Sequence, residues 1–140
     1  MKLKKIILGV LVLAILGAFI AYKSYNKPHV NVANEKTDIS VTADEILSNF
    51  SSEEAAANIK YLGKIVQVKG IVSMAEVANG KGIITLQTND DFGSVLCHVT
   101  ADELEYTKEI KGGQELVLKG ICTGFLMDVI LVKCIILKQK

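Results

Sequence analysis

An uncharged run of 17 residues from Ile6 to Tyr22 lies close to the N-terminus and constrains the fold of this chain more than any other feature. Lys2, Lys4 and Lys5 precede it. As a helix rising about 1.5 Å per residue, the run would be roughly 25 Å long, just enough to cross a thin hydrocarbon layer. Residues 1–22 are therefore predicted to form a transmembrane anchor that contacts the membrane through residues 6–22.

A cleaved signal peptide is the alternative interpretation of this segment. Such peptides have an apolar region of about 7–15 residues followed by a small-x-small cleavage site. Leu16-Gly17-Ala18 and Phe19-Ile20-Ala21 both place a bulky residue where a small one is needed, so an uncleaved anchor fits better. Three lysines before the run, against Lys23 and Lys27 after it, predict a single-pass protein with a cytoplasmic N-terminus. The C-terminal domain would then be extracytoplasmic, either periplasmic or at the cell surface.

Residues 23–38 are predicted to be a linker, because they contain the single proline, are rich in Asn and Lys, and show no sustained periodicity. His29 lies in this segment and is interpreted as a solvated linker residue. The remaining residues, 39–140, suffice for one domain with one core.

A helical segment is predicted at residues 42–62, at the start of this domain. Thr42 and Glu45 have the spacing of a capping box, and Ile46, Leu47 and Phe50 would share one helical face. A second N-cap is offered by Ser51 or Ser52. We expect the segment to close one end of a barrel, with a lid or docking surface as the alternative.

From Lys64 onward the apolar residues recur with the period of strands. Five strands are predicted, at residues 64–73, 83–88, 94–99, 115–123 and 129–137. A helix is predicted at residues 100–110, between the third strand and the fourth. This order is that of the OB fold, a five-stranded Greek-key barrel. The predicted fold class is mainly β, with an OB barrel preceded by short helices and an N-terminal transmembrane helix.

Short motifs spread over residues 40–137 resemble the tRNA_anti-like family, whose OB-fold domains occur in bacterial membrane-anchored or exported proteins. The resemblance is carried by the segments at 43–47, 61–64, 68–70, 119–124 and 128–131, with Asn58 and Cys134. These motifs mark the fold and contain no active-site signature. The resemblance therefore implies an OB barrel and leaves its ligand open.

The charges disfavour a nucleic-acid ligand. From Ser24 to the C-terminus there are 12 lysines against 15 acidic residues, giving 12 − 15 = −3, and the chain contains no arginine. Binding to phosphates depends on clustered positive charge, and binding to single strands depends on aromatic platforms. The predicted second and third strands have no Phe, Tyr or Trp, so base stacking would depend on Phe92 or His98. The alternative is a cytoplasmic nucleic-acid-binding domain whose basic face comprises Lys60, Lys64, Lys69, Lys81 and Lys119.

Catalytic and metal chemistry find little support in the sequence. Cys97 and His98 are neighbours on a predicted strand, so their side chains would point to opposite faces and could not form a catalytic pair. The three cysteines have no metal-binding spacing. The chain is therefore predicted not to be an enzyme and to bind no metal or cofactor.

Cys122 and Cys134 lie on consecutive antiparallel strands and suggest a cross-strand disulfide. They would face each other if the turn between their strands has the right length, and an exported domain would favour the bond. The alternative is that all three cysteines are small buried apolar residues.

The predicted binding site lies in two loops, at residues 73–82 and 124–128. Met74, Phe125, Leu126 and Met127 place apolar side chains in positions expected to be exposed. The alternative is that residues 125–127 fold back onto the barrel. An envelope protein, a peptide or a glycan is the predicted partner, and the oligomeric state is left open.

Overall fold

The structure, a computed structural model, describes residues 1–25 and 31–137. Lys27 and His29, which enter the predictions of orientation and of the linker, lie outside the described residues. The chain divides into two compact units, Met1–Val30 and Asn31–Lys140.

The first unit contains the helix α1, Lys2–Tyr25, of 24 residues. Its mean hydropathy reaches 2.4 over 18 residues, and none of its residues is buried. Among the described residues it is the one helix long and apolar enough to cross a membrane.

The second unit is built on a closed five-stranded barrel, which confirms the predicted fold class. Its strands are β2 Ile65–Ala78, β3 Lys81–Gln87, β4 Val95–Val99, β5 Glu115–Leu126 and β6 Asp128–Leu137. They follow the order β2-β3-β4-β6-β5, and β5 pairs with β2 to close the barrel. The pairings are antiparallel except that between β4 and β6.

Alternating residues of these strands fill the barrel, as the period of two predicts. Fully buried side chains include Val66, Val72, Ile84, Leu118 and Leu131. A 3₁₀ turn, Ala101–Glu103, and the short helix α4, Leu104–Glu109, connect β4 to β5.

Two helices, α2 (Ala43–Ser52) and α3 (Glu54–Tyr61), cover one end of the barrel. The predicted cap is present, since the Glu45 N–H donates to Thr42 Oγ1 at 3.2 Å. Ile46, Leu47 and Phe50 are buried on one face of α2 and join the barrel core. The predicted serine cap of α3 is wrong, because Glu53 occupies the N-cap position without a side-chain hydrogen bond.

Residues 31–42 differ most from the sequence prediction. Ile39–Thr42 form a sixth strand, β1, which pairs in parallel with residues 66–69 of β2. Before β1, Val32 is only 3% exposed, and Lys119 Nζ donates to the Glu35 carbonyl. The part of the predicted linker from residue 31 to 38 therefore lies against the barrel wall.

The predicted loop at residues 73–82 is also mostly strand. β2 continues to Ala78, and a two-residue turn, Asn79-Gly80, leads into β3. Both turn residues have positive φ, 52° and 72°, as a tight hairpin requires. Pairing with Lys81–Thr85 keeps this part of β2 extended, although its apolar and polar residues alternate only weakly.

Candidate binding surface

The barrel has two distinct ends, which the strand directions define. Ile65, at the start of β2, pairs with Ile121 near the end of β5. One end of the barrel, here called the α2 end, contains the β5–β6 turn, the β3–β4 loop (residues 88–94) and α2. The Asn79-Gly80 turn and α4 lie at the other.

The structure separates the four apolar residues of the predicted site. Met74 is 54% exposed on the half of β2 that runs away from the α2 end. Leu126 and Met127, at the β5–β6 turn, are 79% and 69% exposed. Phe125 folds back, as the alternative predicted, and its ring stacks on Phe50 with the centroids 5.5 Å apart. Only Leu126 and Met127 thus share an exposed position at one end.

A fifth apolar side chain, Phe92, belongs to the same end. From the sequence alone, Phe92 is suggested only as a platform for base stacking. It is 83% exposed on the β3–β4 loop. Ser94, in the same loop, donates through its N–H and its hydroxyl to Asp128 Oδ1 at 2.8 and 2.7 Å, which joins this loop to the β5–β6 turn.

Close packing around Gly93 sets the distance between these elements. A Cβ atom added there would lie 2.8 Å from Leu47 Cδ2 on α2 and 3.1 Å from the Met127 carbonyl oxygen. Only glycine allows the loop to approach both neighbours so closely. Phe92, Leu126 and Met127 are consequently held on adjoining loops, and we call these three residues the apolar rim.

A groove of about 630 Å³ lies between α2 and the β3–β4 loop. Leu47 and Phe92 contribute its apolar lining. Its charged lining consists of three carboxylates, those of Asp44, Asp90 and Asp91. The neighbouring Lys69 is ion-paired with Glu115 at 3.0 Å. The groove therefore combines an apolar wall with negative charge.

The three cysteines are free thiols buried in the barrel, as the alternative prediction held. Cys122 faces Leu131, and Cys134 lies against Gly120. The predicted disulfide between Cys122 and Cys134 is therefore absent. The hairpin turns at Met127, one residue before the position that would align the two cysteines, and bulges shift the register further.

Burial also changes the acidity of these thiols. Loss of hydration raises the pKa of Cys122. The pKa of Cys134 is raised well above its ordinary value by its contact with the Cys97 thiol and by burial. Since the thiolate is the reactive form, both residues are poor nucleophiles.

Three of the five lysines suggested as a basic face are buried, ion-paired or at the far end of the barrel. Lys119 is buried and bonded to the Glu35 carbonyl, and Lys69 is paired with Glu115. Lys81 lies beside the Asn79-Gly80 turn, at the opposite end from α3, which carries Lys60. Lys60 Nζ is 4.9 Å from the Tyr61 ring centroid, and a side-chain hydrogen bond with Tyr61 raises its pKa.

The outer surface of β3 and β4 presents few groups for chemistry. Cys97 points into the core and the half-buried His98 points outward, as the alternation predicted. Within residues 1–25 and 31–137, no three His, Cys, Asp or Glu side chains are grouped as metal ligands.

Comparisons with known proteins agree with this architecture. A family model described as tRNA_anti-like matches residues 1–136. A search of curated protein sequences finds no match.

Two solved structures have a similar fold. The first is named "putative nucleic acid-binding lipoprotein", from Klebsiella pneumoniae subsp. pneumoniae MGH 78578. It is 18% identical, with 80% of this chain and 100% of that chain covered and a TM-score of 0.59. The second is named "putative aspartyl-tRNA synthetase", from Leishmania major Friedlin. It is 13% identical, with a TM-score of 0.51, and 88% of this chain spans 26% of that one. At these identities the likeness shows the fold alone.

Proposed function

The chain belongs to the tRNA_anti-like family, and on that premise we propose that it is a non-catalytic binding module anchored in a membrane. Its barrel is held on the exported side, where it binds a protein, peptide or glycan. The observation that carries the proposal is the apolar rim at the α2 end, where Phe92 and Leu126 are 83% and 79% exposed on fixed loops. Exposed apolar groups gathered on one surface are typical of interaction sites.

The anchor and its orientation rest on α1. The helix is long and apolar enough to span a membrane, and the similarity to a structure named as a lipoprotein supports attachment to one. Lys2, Lys4 and Lys5 precede the apolar run and favour a cytoplasmic N-terminus. The domain that follows α1 would then be outside.

A non-catalytic role is supported by the contents of the barrel. Its three thiols are buried, and the pKa values of Cys122 and Cys134 are raised. His98 lies on the opposite face of its strand from Cys97, so the pair cannot act as base and nucleophile.

Nucleic-acid binding on the cytoplasmic side is the second candidate. The observation in its favour is the fold shared with the Klebsiella protein, whose name includes nucleic-acid binding. Against it stand the dispersed lysines and the lack of a stacking platform on β3 and β4. The outer residues of these strands are Lys81, Ile83, Thr85, Gln87, Leu96 and His98, with no Phe, Tyr or Trp.

A binding assay separates the two candidates. We expect the full-length protein, in nanodiscs of phosphatidylcholine, not to bind a fluorescent mixed-sequence 20-mer of single-stranded DNA or RNA at 20 mM salt. Low salt favours any binding driven by phosphate charge. A single-strand-binding OB protein serves as the positive control. Salt-sensitive binding at micromolar concentration would replace the proposal with the second candidate.

A further inference from the structure

The β3–β4 loop is held by hydrogen bonds in one conformation. The Thr88 hydroxyl donates to the Gly93 carbonyl at 2.6 Å, and the Phe92 N–H donates to Asp90 Oδ1 at 2.9 Å. The Asn89 N–H donates to Asp44 Oδ1 at 2.6 Å, which fixes the loop to α2. Because its ends and its tip are bonded, the loop keeps Phe92 in an exposed position.

An aromatic side chain presented in this way is suited to anchor a partner. Aromatic residues contribute disproportionately to binding at protein interfaces, and a fixed loop loses little conformational entropy when it binds. Met127 lies on the adjoining turn, where its carbonyl oxygen is close to Gly93, and its flexible side chain is 69% exposed. The apolar rim therefore presents three exposed apolar side chains on adjoining loops before a partner binds.

The charge of the groove selects among partners. Asp44, Asp90 and Asp91 line it, and its charged lining includes no lysine. The two adjacent helices add Glu45, Glu53 and Glu54 against Lys60. Such a surface repels anionic lipid headgroups and nucleic-acid phosphates and attracts cationic side chains.

We infer that the groove between α2 and the β3–β4 loop binds a protein segment that presents Lys or Arg beside an apolar side chain. The apolar side chain packs on Phe92, Leu126 and Met127, while the cationic group pairs with Asp90 or Asp91. This inference rests on the proposed function, because it names the partner class and the surface of that same module.

Selection from a random dodecapeptide display library tests the inference. The target is the full-length protein in phosphatidylcholine nanodiscs, with empty nanodiscs used to remove non-specific binders. We expect the selected peptides to be enriched in Lys or Arg next to Leu, Phe, Trp or Met. A selected peptide, synthesised with a fluorescent label, should bind at least 10-fold more weakly to the Phe92→Ser variant.

Two further variants sharpen this test. Asp90→Asn combined with Asp91→Asn should weaken the peptide at least 5-fold and reduce the salt dependence of binding. Met74→Ser is the matched control, since it removes a 54% exposed apolar side chain from the half of β2 that runs away from the α2 end. It should change the affinity for the peptide less than 2-fold. Thermal unfolding of each variant shows that the barrel is intact.

The outcomes distinguish the inference from the proposed function. Peptides that bind the wild type and Phe92→Ser equally would overturn the inference and leave a peptide-binding module elsewhere on the barrel. Enrichment of acidic peptides would overturn the charge argument. Failure to select any peptide, or binding instead to vesicles with 30% phosphatidylglycerol, would overturn the inference and count against a peptide partner altogether.

Discussion

Replacing Phe50 with alanine is expected to lower the free energy of unfolding of the barrel domain by about 3–5 kcal/mol. Phe50 is 1% exposed on α2, and its ring lies 5.7 Å from that of Tyr61 and 5.5 Å from that of Phe125. The substitution removes the side chain that joins α2, α3 and the end of β5. Such a loss is a large share of the total stability of a typical domain, about 5–15 kcal/mol.

Urea unfolding of the full-length protein in detergent, followed by circular dichroism, measures this effect. The matched control is Phe92→Ala, which removes the same side chain from an 83% exposed position. We expect it to change the unfolding free energy by less than about 0.5 kcal/mol. A Phe50→Ala protein within 1 kcal/mol of the wild type would show that α2 is not part of the cooperative core.

Gly120→Ala is expected to destabilise the barrel by about 2–3 kcal/mol, because the interior has no space for a methyl group there. A Cβ atom at this position would overlap Cys134 Sγ and lie 3.0 Å from the Val132 carbonyl oxygen. The backbone oxygen can move only if β6 moves, so relaxation is limited.

A double-mutant cycle identifies the cause. Cys134→Ala removes the overlapping sulfur atom. The double variant Gly120→Ala, Cys134→Ala should therefore lose about 1 kcal/mol less unfolding free energy than the two single variants lose in total. Additive effects in the same urea assay would mean that the methyl group does not meet Cys134. The contact with the Val132 carbonyl remains, so the rescue should be incomplete.

Local patterns in the sequence predicted much of the fold. The alternation of Val66, Val68 and Val72 identified β2, and the spacing of Thr42 and Glu45 identified the start of α2. Both signals lie within a few neighbouring residues. The five barrel strands and their order followed from such signals.

Features held by distant contacts were not predicted. β1 has four residues and depends on β2, and Asp38 before it both donates to the Ile65 carbonyl and accepts the Ile65 N–H, each at 2.9 Å. The pairing of Cys122 depended on where the hairpin turns, which parity alone did not determine. A partner far along the chain thus fixes the geometry of β1, and the position of a turn and its bulges fixes the pairing of Cys122.

The candidate site also combines features that the local sequence predicts with features that distant contacts determine. The sequence indicated that residues 125–127 include exposed apolar side chains, and Leu126 and Met127 are exposed. It could not indicate that Asp44 holds a loop 45 residues later, or that this loop keeps Phe92 exposed beside them. Met74 was grouped with them because residues 73–82 were interpreted as a loop.

The side of the membrane on which the barrel lies is the central claim, and cysteine labelling measures it directly. Lys111 is exposed in the barrel domain and Lys4 precedes the apolar run, so Lys111→Cys and Lys4→Cys report the two sides. The native cysteines are buried, so the wild-type protein serves as the background control. In right-side-out vesicles treated with a membrane-impermeant maleimide, we predict that Lys111→Cys is labelled and Lys4→Cys is not. Labelling of Lys4→Cys alone would place the barrel in the cytoplasm and contradict an exported binding module.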